Sequence, residues 1–253
     1  MLRNIRGFWR TFCLAVSLIS YYSIWRIGSW LIRDTAKRMR FRAWLMRSAG
    51  GSFANILGVK MQHEGAPPPS PCFWICNHVS SLDAVMLLLT VENPIVVARH
   101  DVQSWPIIGK IASDVGTIFV DRSRFDAMPL VAQKMEQSMQ QGYSVVMFPE
   151  ATTGKGDVLL PFKAPLFEPA VRLNVPVHYA CCYYETAPSE PPATEVVTWW
   201  RESTFASHAW DFLRTPYIYT RVRYGEQPIQ AENRKLLARQ LQDAVQGLFE
   251  PIR

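Results

Sequence analysis

Neither a G-x-G-x-x-G loop nor a Walker-type phosphate loop occurs in the 253 residues, and no internal repeat or low-complexity tract is present. The commonest nucleotide-binding readings are thereby removed. Cysteine is scarce and odd in number: Cys13, Cys72, Cys76, Cys181 and Cys182, the last two too close for an ordinary disulfide. No disulfide framework is visible, which suits a reducing compartment. Cys72 and Cys76, in the apolar run PCFWIC, have no His or Cys partner at zinc-finger spacing, so they read as buried thiols and no metal is expected. Acids are nearly absent from the start of the chain. Residues 1–60 hold eleven Lys and Arg against the single acid Asp34, whereas acids outnumber bases in the remainder. A nucleic-acid coat would spread its positive charge, so the expected anionic partner is a lipid surface and not nucleic acid.

A long hydrophobic run is also missing. The uncharged stretch 11–25, TFCLAVSLISYYSIW, has 15 residues, short of the roughly 20 that span a bilayer. Arg3, Arg6 and Arg10 ahead of it imitate a signal peptide, but Tyr21, Tyr22, Trp25 and Arg26 stand where a cleavage site needs small residues, and the segment is expected to be retained. Between Ile27 and Met46, apolar Ile27, Trp30, Leu31, Phe41, Trp44 and Leu45 recur at helical spacings among Arg33, Lys37, Arg38, Arg40 and Arg42. That pattern predicts an interfacial helix on anionic headgroups. Residues 1–60 are therefore read as a basic, membrane-binding segment. Gly50, Gly51 and Gly58 and the stretch GAPPPSP at 65–71 are read as the turns separating it from a folded domain, residues 61–253.

With 49% hydrophobic and 19% charged residues the chain can bury a sizeable core. Short apolar runs at 73–76, 94–98, 117–120, 144–148 and 175–184 alternate with helical patterns at 81–89, 105–112, 126–141 and 164–173. Strands at 196–200 and 218–224 and a polar helix over 232–249 follow, with 187–195 as a surface loop. The alternation predicts an α/β domain with a mostly parallel mixed sheet flanked by helices.

The string ICNHVSSLDAVMLLL places His78 and Asp83 where a buried strand gives way to a helix. An imidazole at a strand's C-terminal end can act as general base, and a carboxylate five residues on can hold its tautomer. No serine completes a triad. A base alone suffices to activate a substrate hydroxyl for direct attack on an acyl thioester. Ser80 followed by Asp83 fits a helix capping box equally well.

ICNHVSSLD, GTIFVDR (116–122), FPEATTG (148–154) and VPV (175–177), in that order, resemble the motifs of the glycerolipid acyltransferases, the family of bacterial 1-acyl-glycerol-3-phosphate acyltransferase. The resemblance covers roughly residues 70–185. It implies that His78 is the general base and Asp83 its orienting partner, with acyl-CoA or acyl carrier protein as donor and a lysolipid as acceptor. It further implies that Arg122 grips the acceptor headgroup, that Glu150 and Thr152 bind the acceptor, and that Pro176 shapes an acyl pocket. No cofactor is implied, and the expected location is the cytoplasmic face of a membrane, the inner membrane in a bacterium. The glycerol-phosphate enzymes usually read FPEGTRS, whereas Ala151 and Thr153 occupy the Gly and Arg places here. An EGTT-like motif followed by a run like VLLPFK (158–163) resembles acyltransferases of lysophospholipids or lyso-ornithine lipid. A thioester hydrolase using the same dyad and a non-catalytic lipid-binding relative are the alternative readings.

Overall fold

In a computed structural model, residues 1–121 and 128–253 are described. Two long helices lead, α1 (Leu2–Leu31) and α2 (Thr35–Leu57). Between them, Asp34 accepts the Lys37 N–H at 2.7 Å and so caps α2. Gly58, at φ 73°, ends it in the left-handed region. The break at 32–34 divides the single amphipathic face expected over Ile27–Met46 between two helices. They run antiparallel: Tyr21 meets Phe53 and Trp25 stacks on Phe41, with centroids 6.1 and 6.4 Å apart. Gly50 and Gly51 lie inside α2 and are not turn residues. A Cβ on Gly50 would stand 2.8 Å from the Leu88 Cβ, so this glycine marks a close helix approach.

The helical pair is docked on the domain. Arg10 donates to the carbonyls of Leu213, Thr215 and Pro216, and Arg6 to that of Arg214. Arg6 and Arg10, the basic start of the sequence, thereby satisfy carbonyls at the end of a later helix, where cations are favoured. Arg42, expected on the lipid-facing side, is buried and donates to Asn93 Oδ1, the Pro94 carbonyl and the Val115 carbonyl at 3.2, 2.8 and 3.1 Å. Burial lowers its pKa to about 10.

The remaining elements are β1 (Val59–Glu64), β2 (Phe73–Cys76), α3 (Asp83–Thr90), β3 (Pro94–Arg99), α4 (Ile108–Asp114), β4 (Ile118–Val120), α5 (Met128–Gln140) and β5 (Ser144–Met147). After them come α6 (Glu168–Arg172), β6 (Val177–Thr186), α7 (Ala193–Val196), α8 (Phe205–Arg214), β7 (Ile218–Tyr224) and α9 (Arg234–Leu248). The sheet order is β1-β7-β6-β2-β5-β3-β4, parallel throughout except for the β6/β7 pair. The α/β expectation with a mostly parallel mixed sheet is met. The strand expected at 196–200 is instead the end of α7 and an irregular segment, while β1 and α8 lay outside the sequence reading.

β2 is central, and its four residues are fully buried. Alternation sends Trp74 and Cys76 into a core with Leu82, Met86 and Phe212 from α3 and its approach and from α8. Phe73 and Ile75 enter a second core with Met135, Leu237 and Leu241 from α5 and α9. Apolar layers on both faces explain why FWIC reads as a continuous run and not as an alternating one.

Candidate active site

β2 and β5 are neighbours in the parallel part of the sheet, so the loops leaving their C-terminal ends emerge side by side. The first carries His78 and the second Glu150. The β2 pairing with β6 is prolonged past Cys76 by a side chain: Asn77 accepts the Cys182 N–H at 2.6 Å and donates to the Cys182 carbonyl at 3.0 Å. This amide clamp, which the sequence reading missed, fixes the start of the loop before His78.

His78 Nδ1 lies 2.7 Å from Asp83 Oδ2. The same oxygen accepts the N–H groups of Val79 and Ser80 at 3.0 and 3.1 Å, and Ser80 Oγ accepts the Leu82 N–H at 3.1 Å. Asp83, the first residue of α3, therefore gathers the N–H groups of the turn before the helix and orients the imidazole at once; its bond to the Ser80 N–H is one half of a capping box, so the two readings of this spacing meet in one side chain. Its other oxygen, Oδ1, accepts the hydroxyl of Tyr184 at 2.5 Å. Asp83 is 0% exposed, and an ionised carboxylate there is tolerable because four hydrogen-bond donors surround it. Burial, then the Asp83 charge, hold Tyr184 well above the usual phenol range, so it remains a donor. The ring of His78 stacks on Phe148 at 4.1 Å. Its side chain is 25% exposed, and Nδ1 is committed to Asp83, which leaves Nε2 for an incoming group. Among the described residues, no Ser, Thr or Cys hydrogen-bonds Nε2.

Glu150 is 2% exposed, and each carboxylate oxygen accepts a backbone N–H, from His78 at 2.6 Å and from Leu160 at 2.9 Å. Burial pushes its pKa up to about 7 against the pull of these two N–H groups. In this arrangement Glu150 ties the loop after β2 to its own loop after β5 and closes the latter on itself at Leu160. Thr152 is exposed, and its hydroxyl has no hydrogen-bond partner among the described residues. Arg122 lies outside the described residues. Ala151 has φ 68°, the left-handed region that a Cβ opposes by about 1–2 kcal/mol, so the departure from Gly is strained locally. Val175 to Val177 lead into β6 beside Phe73, at the N-terminal end of β2 and so at the far end of that strand from His78. Among the described residues, no group of three or more His, Cys, Asp or Glu is placed to hold a metal ion.

The chain is similar to known proteins. A 1-acyl-sn-glycerol-3-phosphate acyltransferase of Neisseria gonorrhoeae is 33% identical over 150 residues, 58% of either chain, so the match spans less than two thirds of that relative. A lyso-ornithine lipid O-acyltransferase of Pseudomonas aeruginosa is 29% identical over 206 residues, 81% of this chain and 76% of that one. A solved 1-acyl-sn-glycerophosphate acyltransferase from Thermotoga maritima shares the fold at a TM-score of 0.69 and 18% identity, over 97% of this chain and 95% of the other. The family model named Acyltransferase matches residues 58–183, a stretch that contains His78, Asp83 and Glu150, and through that domain the chain belongs to the Acyltransferase family.

Proposed function

We propose that the protein is an O-acyltransferase that moves a fatty acyl group from an acyl thioester, of CoA or acyl carrier protein, to the free hydroxyl of a lysolipid. The carrying observation is the chain Tyr184–Asp83–His78, which ends in a partly exposed imidazole that no nucleophilic side chain among the described residues hydrogen-bonds. In the transfer, Nε2 takes the proton of the acceptor hydroxyl as its oxygen attacks the thioester carbonyl. The C–O bond forms, the C–S bond breaks, and the imidazolium returns the proton to the leaving thiolate. Asp83 holds Nδ1–H toward itself and stabilises the imidazolium between the two steps. The acceptor side falls to Arg122 and Thr152, and Glu150 acts by fixing the His78 backbone.

The membrane is where the lysolipid acceptor resides. No helix of the described residues is long and apolar enough to cross it. α1 nevertheless leaves Ile5, Trp9, Phe12, Val16, Ile19, Ile27 and Trp30 exposed, at spacings of three, four and eight residues that keep them near one stripe. Isolated apolar residues on a surface need no explanation, but a stripe of this length does. It supports a protein seated in one leaflet on the cytoplasmic face, with the stripe sunk to acyl-chain depth and the arginines at headgroup level.

Purified protein given an acyl thioester and a lysolipid should release thiol and acylated lipid in equal amounts; thiol release without lipid product would show a hydrolase. His78→Ala should lower turnover by about 10² to 10⁴-fold, the usual loss for a general base. Retention of more than about a tenth of wild-type turnover would sink the dyad mechanism.

A further inference from the structure

Thr153 stands where the FPEGTRS motif has its arginine, and its hydroxyl is already engaged: it donates to the carbonyl of Trp199. The N–H of the same residue donates to the Val79 carbonyl at 2.7 Å. Trp199 thus touches both chemistry-bearing loops through its own peptide groups, the dyad loop on one side and the 150–154 loop on the other. A direct link between those loops runs alongside, from the Gly154 N–H to the His78 carbonyl at 3.0 Å. The Trp199 ring is anchored as well. It stacks on buried His208 at 5.0 Å and 8°, and has Trp105 and Phe205 at 6.0 Å on other sides. His208 Nε2 has no hydrogen-bond partner among the described residues, and burial keeps the ring neutral, so it meets the indole as one aromatic face on another.

The geometry points to a clasp: residues 197–204 form a strap held across the active-site rim, in which Trp199 is a positioning residue for the His78 loop and the Thr153 hydroxyl is the fastening. A short hydroxyl makes this possible. A guanidinium at residue 153 could not accept the same local geometry, since its donors sit several bonds farther from the backbone. Among the described residues, the loops are otherwise joined by the Gly154 N–H to His78 carbonyl hydrogen bond, by the Glu150 carboxylate and by the stack of His78 on Phe148. Loss of the clasp should therefore be felt as freedom of the His78 backbone and not as loss of a substrate contact.

The test uses the full chain and the variants Thr153→Val, Thr153→Ala and Thr153→Ser, read by amide hydrogen exchange and by steady-state kinetics; the kinetic half rests on the acyl-transfer reading. Valine keeps the shape and removes the hydroxyl, alanine repeats the loss without the branched side chain, and serine retains the hydroxyl. Valine and alanine should speed exchange at both 197–204 and 78–82 and lower kcat by about 3- to 12-fold, the factor for one neutral hydrogen bond, with acceptor KM within about 2-fold. Serine should restore both. If exchange at 78–82 and kcat stay at wild-type values in the valine and alanine proteins, or if serine fares no better than they do, the clasp is wrong. If exchange responds as expected while the wild-type protein transfers no acyl group, the functional reading fails and the clasp stands.

Discussion

The Tyr184 hydroxyl donates to Asp83 Oδ1 across 2.5 Å, while Oδ2 of the same carboxylate holds His78 Nδ1 at 2.7 Å. One buried carboxylate thus joins β6 to the loop that carries His78. Tyr184→Phe keeps the ring that packs in the core and removes the one donor to Oδ1. A hydrogen bond to a charged group is worth about 1.5–3 kcal/mol. Chemical denaturation should show a loss of that size, and turnover should fall because Asp83 no longer has a single fixed orientation. An unfolding free energy within about 0.5 kcal/mol of wild type would mean that the tyrosine is only a packing residue.

The dyad was legible because His78 and Asp83 are five residues apart and one local turn brings them together. Tyr184 was not, since it reaches Asp83 from 101 residues away and reads as one more apolar strand residue. Continuous apolar runs gave the sheet well where both faces are buried, as in FWIC and SVVM. VVTWW misled because Trp199 spends its peptide groups on two loops and not on a strand ladder. At Gly50 the sequence suggests a turn, yet the physical reason is contact, and Gly28 is placed likewise: a Cβ on Gly28 would lie 2.3 Å from the Phe41 ring. Glu150 was expected to face substrate, and only tertiary structure reveals that both its oxygens are occupied.

His208 provides a pH signature. Burial lowers its pKa from 6.5 to about 4, so the unfolded chain binds a proton there between these values and the folded one does not. Its neutral form contributes stability that is complete above about pH 6.5 and is lost as pH falls toward 4, by about 3 kcal/mol at most. Glu150 acts in the opposite sense: its raised pKa makes ionisation costly as pH climbs from 4.5 to about 7. The two slopes offset in the wild type, so the informative quantity is a difference. The stability of His208→Phe relative to wild type should rise steadily as pH is lowered from 6.5 to 4. A difference independent of pH would show that His208 is protonated as readily in the folded protein as in the unfolded chain.

Membrane attachment should survive salt. Charge contacts are screened within about 8–10 Å at moderate ionic strength, but apolar burial is not. High-salt washing is expected to leave the protein on anionic vesicles, whereas Phe12→Ser, Ile19→Ser, Ile27→Ser and Trp30→Ser combined should release it. These four side chains are exposed, Trp30 to 79%, so the fold has little to lose from the change. Removing the whole segment is a poorer test, since Leu45 and Arg42 of α2 are buried in the domain and Arg10 satisfies carbonyls at the end of α8 and just after it. Release of the intact protein by salt alone would defeat the burial of the α1 stripe.

Acceptor choice follows from residue 153. A phosphomonoester such as lysophosphatidate carries close to two negative charges at neutral pH, a phosphodiester lysophospholipid carries one, and the zwitterionic ornithine headgroup has no net charge. The arginine that the FPEGTRS pattern would supply is absent, and Thr153 cannot take its place because its hydroxyl is spent on the Trp199 carbonyl. Nearby Lys155 is itself engaged, 3.4 Å from Asp157 and 5.6 Å over the Trp200 ring. One missing charge-assisted contact is worth about 1.5–3 kcal/mol, or about 10- to 150-fold. In competition between lysophosphatidate, several lysophospholipids and lyso-ornithine lipid for one acyl thioester, lysophosphatidate should therefore not be the preferred acceptor. Thr153→Arg should shift the ratio toward it even if total turnover falls with the broken clasp, because the ratio reports the headgroup contact and the total reports the loop. A clear wild-type preference for lysophosphatidate would overturn the argument and assign the phosphate to Lys155 or Lys163, whose variants would then lose that preference.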